Sequence, residues 1–229
     1  MDLREELYAL LRDKGAALVG AADIRDVTPE PRMPVGVSVA LPLPRHVVED
    51  LKTAPTLEYR ELYHSLNRQL NGIVSAGAAL LHSRGFHALA QTTDCVRTDG
   101  ASCSPLPHKS VAVRAGLGWI GRSGLLITEP FGGAVRLSSL LTDAPLEPEK
   151  PQWNGRCGAC RRCVELCPAG ALTGMEWRPG MERDELLRWV ACNETQIRRM
   201  REATGVEQDL CGLCFAVCPH TQRYLQNSK

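Results

Sequence analysis

Residues 157–168 read Cys157-Gly-Ala-Cys160-Arg-Arg-Cys163-Val-Glu-Leu-Cys167-Pro168, a C-x2-C-x2-C-x3-C-P pattern. In bacterial ferredoxins this spacing lets three closely spaced thiolates bind one [4Fe–4S] cluster, while the fourth cysteine binds the neighbouring cluster. A shorter run of the same kind follows, Cys211-Gly-Leu-Cys214-Phe-Ala-Val-Cys218-Pro219. The two runs predict a C-terminal bacterial ferredoxin-like domain that moves single electrons through two clusters lying close together.

The supply of thiolates indicates how the two clusters are bound. Each cluster takes four thiolates, and the two runs together fall one short. Cys192 lies between the runs and is the natural remaining ligand. We predict that one cluster is bound by Cys157, Cys160, Cys163 and Cys218. The other is then bound by Cys167, Cys192, Cys211 and Cys214.

Zinc, a single cluster and disulfides are the alternatives to this assignment. Structural zinc is normally satisfied by two C-x2-C pairs around one ion, and a continuous run of four cysteines ending in proline is not that pattern. Disulfides are not expected, because the cysteine spacing suits metal binding and the N-terminus does not resemble the signal peptide of a secreted protein. Cys95 and Cys103 lie outside the runs. Each is interpreted as a small buried hydrophobe, or, for Cys103, as a thiol near a cofactor.

Length and charge limit the class of protein. The chain has 229 residues and a formal net charge of +1, with Lys and Arg scattered rather than clustered. The absence of a basic run counts against an RNA partner, and no stretch approaches the ~20 apolar residues of a membrane helix. We expect a cytoplasmic protein.

A proline-rich linker over 145–151 predicts two domains, a cofactor-binding domain over 1–150 and a two-cluster domain over 151–229.

Apolar periodicity gives a coarse order of helices and strands. Helices are predicted over 3–14, 57–85, 109–114 and 184–201. Strands are predicted over 16–22, 35–43 and 86–91, and 125–128 is predicted to pair with 135–142 around a turn at 130–133. The expected N-terminal domain therefore mixes helices and strands.

A glycine-rich segment, Gly116-Leu-Gly118-Trp119-Ile-Gly121-Arg122-Ser-Gly124, matches G-x-G-x-x-G literally. A dinucleotide-binding loop requires a strand before it and a helix after it, whereas here the predicted order is the reverse. Two interpretations stay open. Glycine lets the backbone approach a flat, bulky group closely, with Trp119 as a wall of that site, or the segment is a structural turn.

Several of these features together resemble the epoxyqueuosine reductase family, which is related to the reductive dehalogenases. The resemblance rests on His108-Lys-Ser-Val-Ala-Val-Arg-Ala-Gly-Leu-Gly-Trp-Ile-Gly-Arg, on Leu141-Thr-Asp-Ala-Pro-Leu, on Tyr63-His64 and on the eight cysteines of the cluster motifs. It implies an α/β (α+β) fold, in which a nitroreductase-related, cobalamin-binding N-terminal domain precedes the ferredoxin-like domain. It also implies an electron donor such as ferredoxin or flavodoxin.

The resemblance further implies which residues line the cobalamin site. These are Tyr63, His64, Lys109, Gly116, Gly118, Trp119, Gly121 and Arg122. Packing or solvated surface remains the alternative for the side chains among them.

This chain also departs from the family pattern. Where the family carries an aspartate that is taken as the proton donor, the chain has Ser102, followed by Cys103. A hydroxyl is too weak an acid to replace a carboxyl, so Cys103, or Asp94 or Asp99 by a loop shift, is the candidate donor. The chain ends at Lys229 without the helical-repeat domain that is usual in family members acting on tRNA. We therefore expect a short form whose substrate is not tRNA.

Two classes of function follow from these expectations. The first is an enzyme in which clusters reduce a bound cobalamin that reduces a small-molecule substrate. The second is an electron-transfer or corrinoid-handling partner, acting on a corrinoid protein and having no organic substrate of its own. A flavin in place of cobalamin is a further alternative, which follows from the nitroreductase-like ancestry.

Overall fold

The structure is a computed structural model that describes residues 2–95 and 104–226. Its helices are α1 (Leu3–Asp13), α2 (Arg45–Asp50), α3 (Leu57–Ser83), α4 (His108–Arg114), α5 (Arg162–Glu165), α6 (Arg183–Leu186), α7 (Trp189–Thr204), α8 (Leu213–Ala216) and α9 (Pro219–Gln226). Its strands are β1 (Leu18–Asp23), β2 (Val35–Pro42), β3 (Ala88–Ala90), β4 (Gly118–Ile120), β5 (Leu126–Thr128) and β6 (Val135–Thr142). This is the mixed α/β composition that the sequence predicts.

The described residues divide into two compact units that alternate along the chain. The first, here called the sheet unit, takes the described residues within 2–41, 65–118 and 136–152. The second, here called the cysteine unit, takes those within 42–64, 119–135 and 153–226. The chain passes from one unit to the other five times, the last time after residue 152, and the predicted boundary after residue 150 lies beside that point. A division of the chain into a cofactor domain and a cluster domain at that point stays a prediction.

The sheet unit is built on a four-stranded sheet in the order β1-β2-β6-β3. β1 pairs antiparallel with β2, and β3 pairs antiparallel with β6. The interior of β2 is buried at every position, as expected for a strand covered on both faces. Helix α4 packs closely on β1, because a Cβ at Gly20 would come 2.5 Å from the Ala115 carbonyl oxygen. Glycine is therefore required there by the protein's own packing.

The predicted hairpin of residues 125–128 with 135–142 is wrong. β5 pairs instead with β4, and β6 lies between β2 and β3 in the larger sheet. The glycine-rich segment is accordingly not loop throughout, since its residues 118–120 form β4. Both runs are apolar enough to be buried strands, and periodicity alone does not state which strand each pairs with.

The predicted helix over 184–201 is also divided in the structure. It ends as α6 at Leu186 and resumes as α7 at Trp189. Leu187 between them is extended, with φ −142° and ψ 120°, and forms an antiparallel bridge with Leu172. The break ties the start of α7, which carries Cys192, to the segment that follows the first cysteine run.

Within 2–95 and 104–226, every helix is too short or too polar to cross a lipid bilayer.

Candidate metal centre

The first predicted group of cysteines comes together in the cysteine unit. Cys157 and Cys160 lie in a tight turn, closed by a hydrogen bond of 3.0 Å from the Cys160 amide to the Cys157 carbonyl. Cys163 follows on α5, and Cys218 directly precedes α9. Burial, with smaller contributions from the nearby sulfurs of Cys218, Cys157 and Cys160, raises the pKa of Cys163 to about 11. All four predicted ligands of the first cluster are therefore neighbours.

The second predicted group comes together in the same way. Burial, with smaller contributions from the adjacent sulfurs of Cys167 and Cys211, raises the pKa of Cys192 to about 11. Burial also raises the pKa of Cys214, which interacts first with Cys211 and Cys192 and then with Cys163 and Cys167. The two groups are thus adjacent, with Cys214 close to both, and the division of the eight thiolates between two clusters stays a prediction. Since the thiols favour the protonated form, metal binding has to displace their protons.

The space among these sulfurs fits a cluster better than a single ion. In residues 2–95 and 104–226, no three His, Cys, Asp or Glu side chains converge on a point where one metal ion would be held. The first group instead surrounds a cavity of about 170 Å³. Its cysteine lining consists of Cys157, Cys160, Cys163, Cys214 and Cys218. Separated thiols around an open volume match the ligand set of a [4Fe–4S] cluster and not a tetrahedral zinc site.

The rest of the cavity lining is basic. Besides the cysteines, it is formed by Arg122, Arg156, Arg223, His220, Gly121, Ser123, Ile127 and Pro219, with no carboxylate among the described lining residues. A cluster with four thiolate ligands is an anion, and its potential depends on its net charge and its surroundings. The cationic lining therefore suits a cluster in this position.

Arg122 holds the loop that carries the first two cysteines. Its guanidinium donates to the carbonyl oxygens of Gly174 and of Gly158, the latter at 2.9 Å, and pairs with Glu176 at 2.7 Å. Gly158 directly follows Cys157. The side chain of Arg122 is only 15% exposed. Its predicted role in cofactor binding stays a prediction, while its contacts show that it positions the cluster loop.

Tyr63 and His64 lie near the end of the part of α3 that belongs to the cysteine unit. Their rings meet edge to face with centroids 5.3 Å apart. His64 Nε2 lies 3.4 Å from Oε1 of Gln208, a residue shortly before Cys211. The structure thus brings this predicted pair next to the second cysteine run. A role in lining a cofactor stays a prediction.

The other predicted cofactor residues are divided between the two units. Lys109, Gly116 and Gly118 belong to the sheet unit, whereas Trp119, Gly121 and Arg122 belong to the cysteine unit. A Cβ at Gly116, whose φ is +68°, would come 2.9 Å from the Lys150 carbonyl oxygen. A Cβ at Gly121 would come 2.9 Å from the Ile127 side chain and 3.5 Å from Cys157 Sγ. Close packing of the protein itself therefore accounts for glycine at both positions.

Of the candidate proton donors, the structure describes one. Asp94 is exposed in the sheet unit, as is the neighbouring Cys95, so the expectation that Cys95 is buried is wrong. Asp99, Ser102 and Cys103 lie outside the described residues.

Three basic residues of the cavity lining were not predicted from the sequence: Arg156, Arg223 and His220. Arg156 directly precedes Cys157, and His220 follows the Cys218-Pro219 pair. The sequence signal for them is a basic residue beside each cluster motif. That signal is weak, because a single cationic side chain is usually part of the solvated surface.

Comparison with known proteins identifies the class of the cysteine-rich region. Residues 156–221, which include all eight predicted ligands, match the family model described as "4Fe-4S double cluster binding domain". The prediction of two [4Fe–4S] clusters is thereby confirmed. The match extends over the last third of the chain and does not describe the rest.

Relatives of the wider chain come from two related groups of enzymes. An epoxyqueuosine reductase of Synechocystis sp. is 31% identical over 128 residues, which are 53% of this chain and 42% of that protein. A tetrachloroethene reductive dehalogenase of Sulfurospirillum multivorans is 36% identical over 118 residues, 48% of this chain and 23% of that protein. The chain thus spans less than half the length of these relatives. The resemblance found in the sequence is confirmed.

Solved structures show the same fold. An epoxyqueuosine reductase with a tRNA-Tyr epoxyqueuosine-modified stem loop has a TM-score of 0.65 at 20% identity, covering 96% of this chain and 65% of its own. A reductive dehalogenase whose structure "suggests a mechanism for B12-dependent dehalogenation" has a TM-score of 0.69 at 19% identity, covering 95% and 32%. The predicted fold class is confirmed. The expectation that tRNA is not a partner is not confirmed, since one of these proteins was solved with tRNA.

Proposed function

We propose that this protein is a cobalamin-dependent iron–sulfur oxidoreductase. In this proposal two [4Fe–4S] clusters pass single electrons to a bound cobalamin, which reduces an organic substrate. The observation that carries it is the pair of adjacent four-cysteine groups, the first of which surrounds an arginine-lined cavity. The likeness to epoxyqueuosine reductases and to a B12-dependent dehalogenase supports the corrinoid as the electron acceptor.

The glycine-rich segment supports a corrinoid site beside the clusters. Its residues Gly121, Arg122 and Ser123 line the first cluster cavity. Tyr63, His64 and Trp119 of the same unit are proposed as further corrinoid contacts, while Lys109, Gly116 and Gly118 of the sheet unit are proposed on the resemblance alone. A bound corrinoid would supply cobalt as a strong nucleophile and one-electron donor, chemistry that no side chain provides. The protein's own part is to hold the cofactor, to keep the clusters in place and to supply a proton.

The proton donor is proposed among three residues. Ser102 stands where the related enzymes are expected to carry an acid, and Cys103 next to it has a thiol that titrates far closer to neutrality than a hydroxyl. Asp94 is the remaining candidate, and its exposed carboxyl would have to move to meet a substrate. Once a substrate is known, Ser102→Ala and Cys103→Ser, compared as a pair, test which of the two side chains supplies the proton.

The substrate is proposed to be a small molecule rather than a tRNA. A net charge of +1 without a basic run supports this, since nucleic-acid binding depends on neutralising many phosphates. A reduced ferredoxin or flavodoxin is the proposed electron donor. Retention of tRNA at physiological salt in a filter-binding assay would reverse the choice of substrate and leave the cofactor proposal standing.

The first experiment is an EPR titration of the anaerobically reconstituted protein with cob(II)alamin. Conversion of the free-cobalamin spectrum to a base-off spectrum is the expected result, because the resemblance to the epoxyqueuosine reductases implies a cobalamin held without its lower base. The matched control is Cys163→Ser, which should disturb the cluster signals while leaving the corrinoid shift. An unchanged cobalamin spectrum with intact clusters would reject the corrinoid, and flavin retained after desalting would point to the alternative cofactor.

A second candidate function is an electron-transfer or corrinoid-reducing partner without an organic substrate. Ser102 in place of an acid favours it, because the reduction of an organic substrate needs a proton source. It predicts that bound corrinoid is reduced by dithionite through the clusters, while epoxides and organohalides are not consumed. Turnover of either substrate class would exclude it.

A further inference from the structure

Three side chains from distant segments form a layer beside the first cluster cavity. The ring of His220 meets the indole of Trp119 edge to face, with centroids 4.9 Å apart and an interplanar angle of 78°. The guanidinium of Arg156 lies 5.3 Å from the centre of the same indole. Trp119 is 1% exposed and therefore fixed, whereas Arg156 and His220 both line the cavity. A buried indole thus holds a cation and an imidazole in place beside the cluster ligands.

The layer is joined to the cluster ligands by the chain itself on both sides of the cavity. Arg156 is the residue immediately before Cys157, and His220 follows Cys218 after a single proline. The contacts of Arg156 and His220 with the buried indole therefore place both side chains next to cluster ligands.

The balance of charge around Arg156 is one-sided. Its only acidic contact in the described residues is Glu129, with Arg156 Nη1 2.8 Å from Glu129 Oε2, and the carboxylate is 75% exposed. Water screens such an exposed carboxylate strongly, and it does not line the cavity. The side chain of Arg156 is itself 52% exposed and partly screened, but Arg156 lines the cavity and Glu129 does not, so the cation is the nearer of the two charges to the cluster site.

At the second group, the described side-chain bond to a ligand sulfur comes from a neutral residue. Gln196 Nε2 lies 3.5 Å from the sulfur of Cys192. This donor contributes a dipole rather than a full charge. Nearby cations and hydrogen bonds to sulfur both stabilise added negative charge on a cluster, so each group offers a side chain whose removal can be measured.

We propose that Arg156, oriented by Trp119 and His220, is a positioning residue that raises the reduction potential of the cluster bound by the first group. The inference rests on the two-cluster part of the proposed function and does not depend on the corrinoid. Reduction adds one electron to the cluster and moves no proton, so a fixed cation favours the reduced form directly.

The test is a redox titration of the anaerobically reconstituted full chain, with dithionite as reductant and the EPR signals of reduced clusters as readout. Arg156→Gln should shift the equilibrium of the first cluster toward the oxidised form about tenfold, which is 59 mV for one electron. Arg156→Lys keeps the charge but loses the planar contact with Trp119, so its shift should be less than half of that. A purely structural role would affect both variants alike.

Glu129→Gln supplies a test that does not disturb the residue next to Cys157. Removing the carboxylate takes away the described ion-pair partner of Arg156, so the potential of the first cluster should rise, opposite in sign to Arg156→Gln and by a smaller amount because the carboxylate is already screened. Gln196→Leu serves as the control at the second group, and it should change only the other signal. If clusters form but Arg156→Gln and Glu129→Gln leave both potentials unchanged, the inference is wrong. If no cluster signals appear in the unaltered protein, the proposed function itself fails.

Discussion

Arg122 offers the sharpest test of how the cluster loop is held. We predict that Arg122→Leu frees the loop that carries Cys157 and Cys160 and accelerates loss of the first cluster. Two carbonyl oxygens, those of Gly158 and Gly174, lose a charged donor in this variant. Hydrogen bonds involving a charged group contribute about 1.5–3 kcal/mol each.

The magnitude follows from these two bonds. Taken near the lower limit, together they amount to about 3 kcal/mol. The ion pair with Glu176 adds little, because that carboxylate is 53% exposed. At about 1.4 kcal/mol for each factor of ten, the open loop becomes roughly 100-fold more populated. If a chelator removes iron only from the open loop, the release rate should rise by a similar factor.

The assay follows the visible absorbance of the reconstituted protein after an iron chelator is added under anaerobic conditions. Arg122→Lys should give an intermediate rate, since one ammonium group cannot serve all three acceptors. The matched control is Arg198→Leu on α7, which removes an exposed pair with Glu202 and should leave the rate unchanged. An Arg122→Leu protein that releases iron at the unaltered rate but loses corrinoid affinity would refute this reasoning, and would favour the cofactor-binding role predicted from the sequence.

Two further predictions concern the framework of each unit. Gly132→Ala should destabilise the protein by more than about 2 kcal/mol, because φ is +56° and the new Cβ would lie 2.3 Å from the Thr221 amide nitrogen. Gly124→Ala, at φ +70° with open space around the new Cβ, should cost only about 1 kcal/mol in the same thermal unfolding measurement. Equal losses of stability in the two variants would contradict the clash with Thr221. In the sheet unit, burial, with a smaller contribution from the charge of Arg136, lowers the pKa of His108 to about 4 from its usual 6.5. The unfolded chain then binds a proton that the folded chain does not, so stability should fall by about 1.4 kcal/mol per pH unit as the pH drops from 6.5 towards 4, and level off below. His108→Gln should lack this component when urea midpoints are compared across that range, and identical pH profiles would show that His108 titrates normally.

The parts of the structure that the sequence predicts are those fixed by local spacing. The cysteine runs state which thiols can reach one cluster, and the leucine stripe of the first helix gives α1, with Leu7 and Leu11 fully buried. Both patterns depend on neighbours within a few residues. Their geometry is therefore determined before any distant segment is considered.

Contacts between distant segments could not be predicted in this way. Trp119, Arg156 and His220 are separated by dozens of residues, and nothing in the composition of any of the three segments indicates the others. The strand over 135–142 was predicted correctly, but its pairing with 125–128 was wrong for the same reason, because an apolar run fits several sheet partners equally well. The charge beside the cluster ligands became visible only when the folded chain brought these segments together.

The alternation of the two units along the chain has a consequence for synthesis and for gene fusion. Residues 42–64 belong to the cysteine unit, yet most of that unit is encoded after residue 152. On the ribosome, this early segment has to wait until most of the protein has emerged before its partners exist. Cluster insertion should therefore follow near-complete translation. A gene fragment encoding only 151–229 would carry every thiolate ligand but would lack Arg122 and Trp119, which makes this cluster carrier a poor module for transplantation into other proteins.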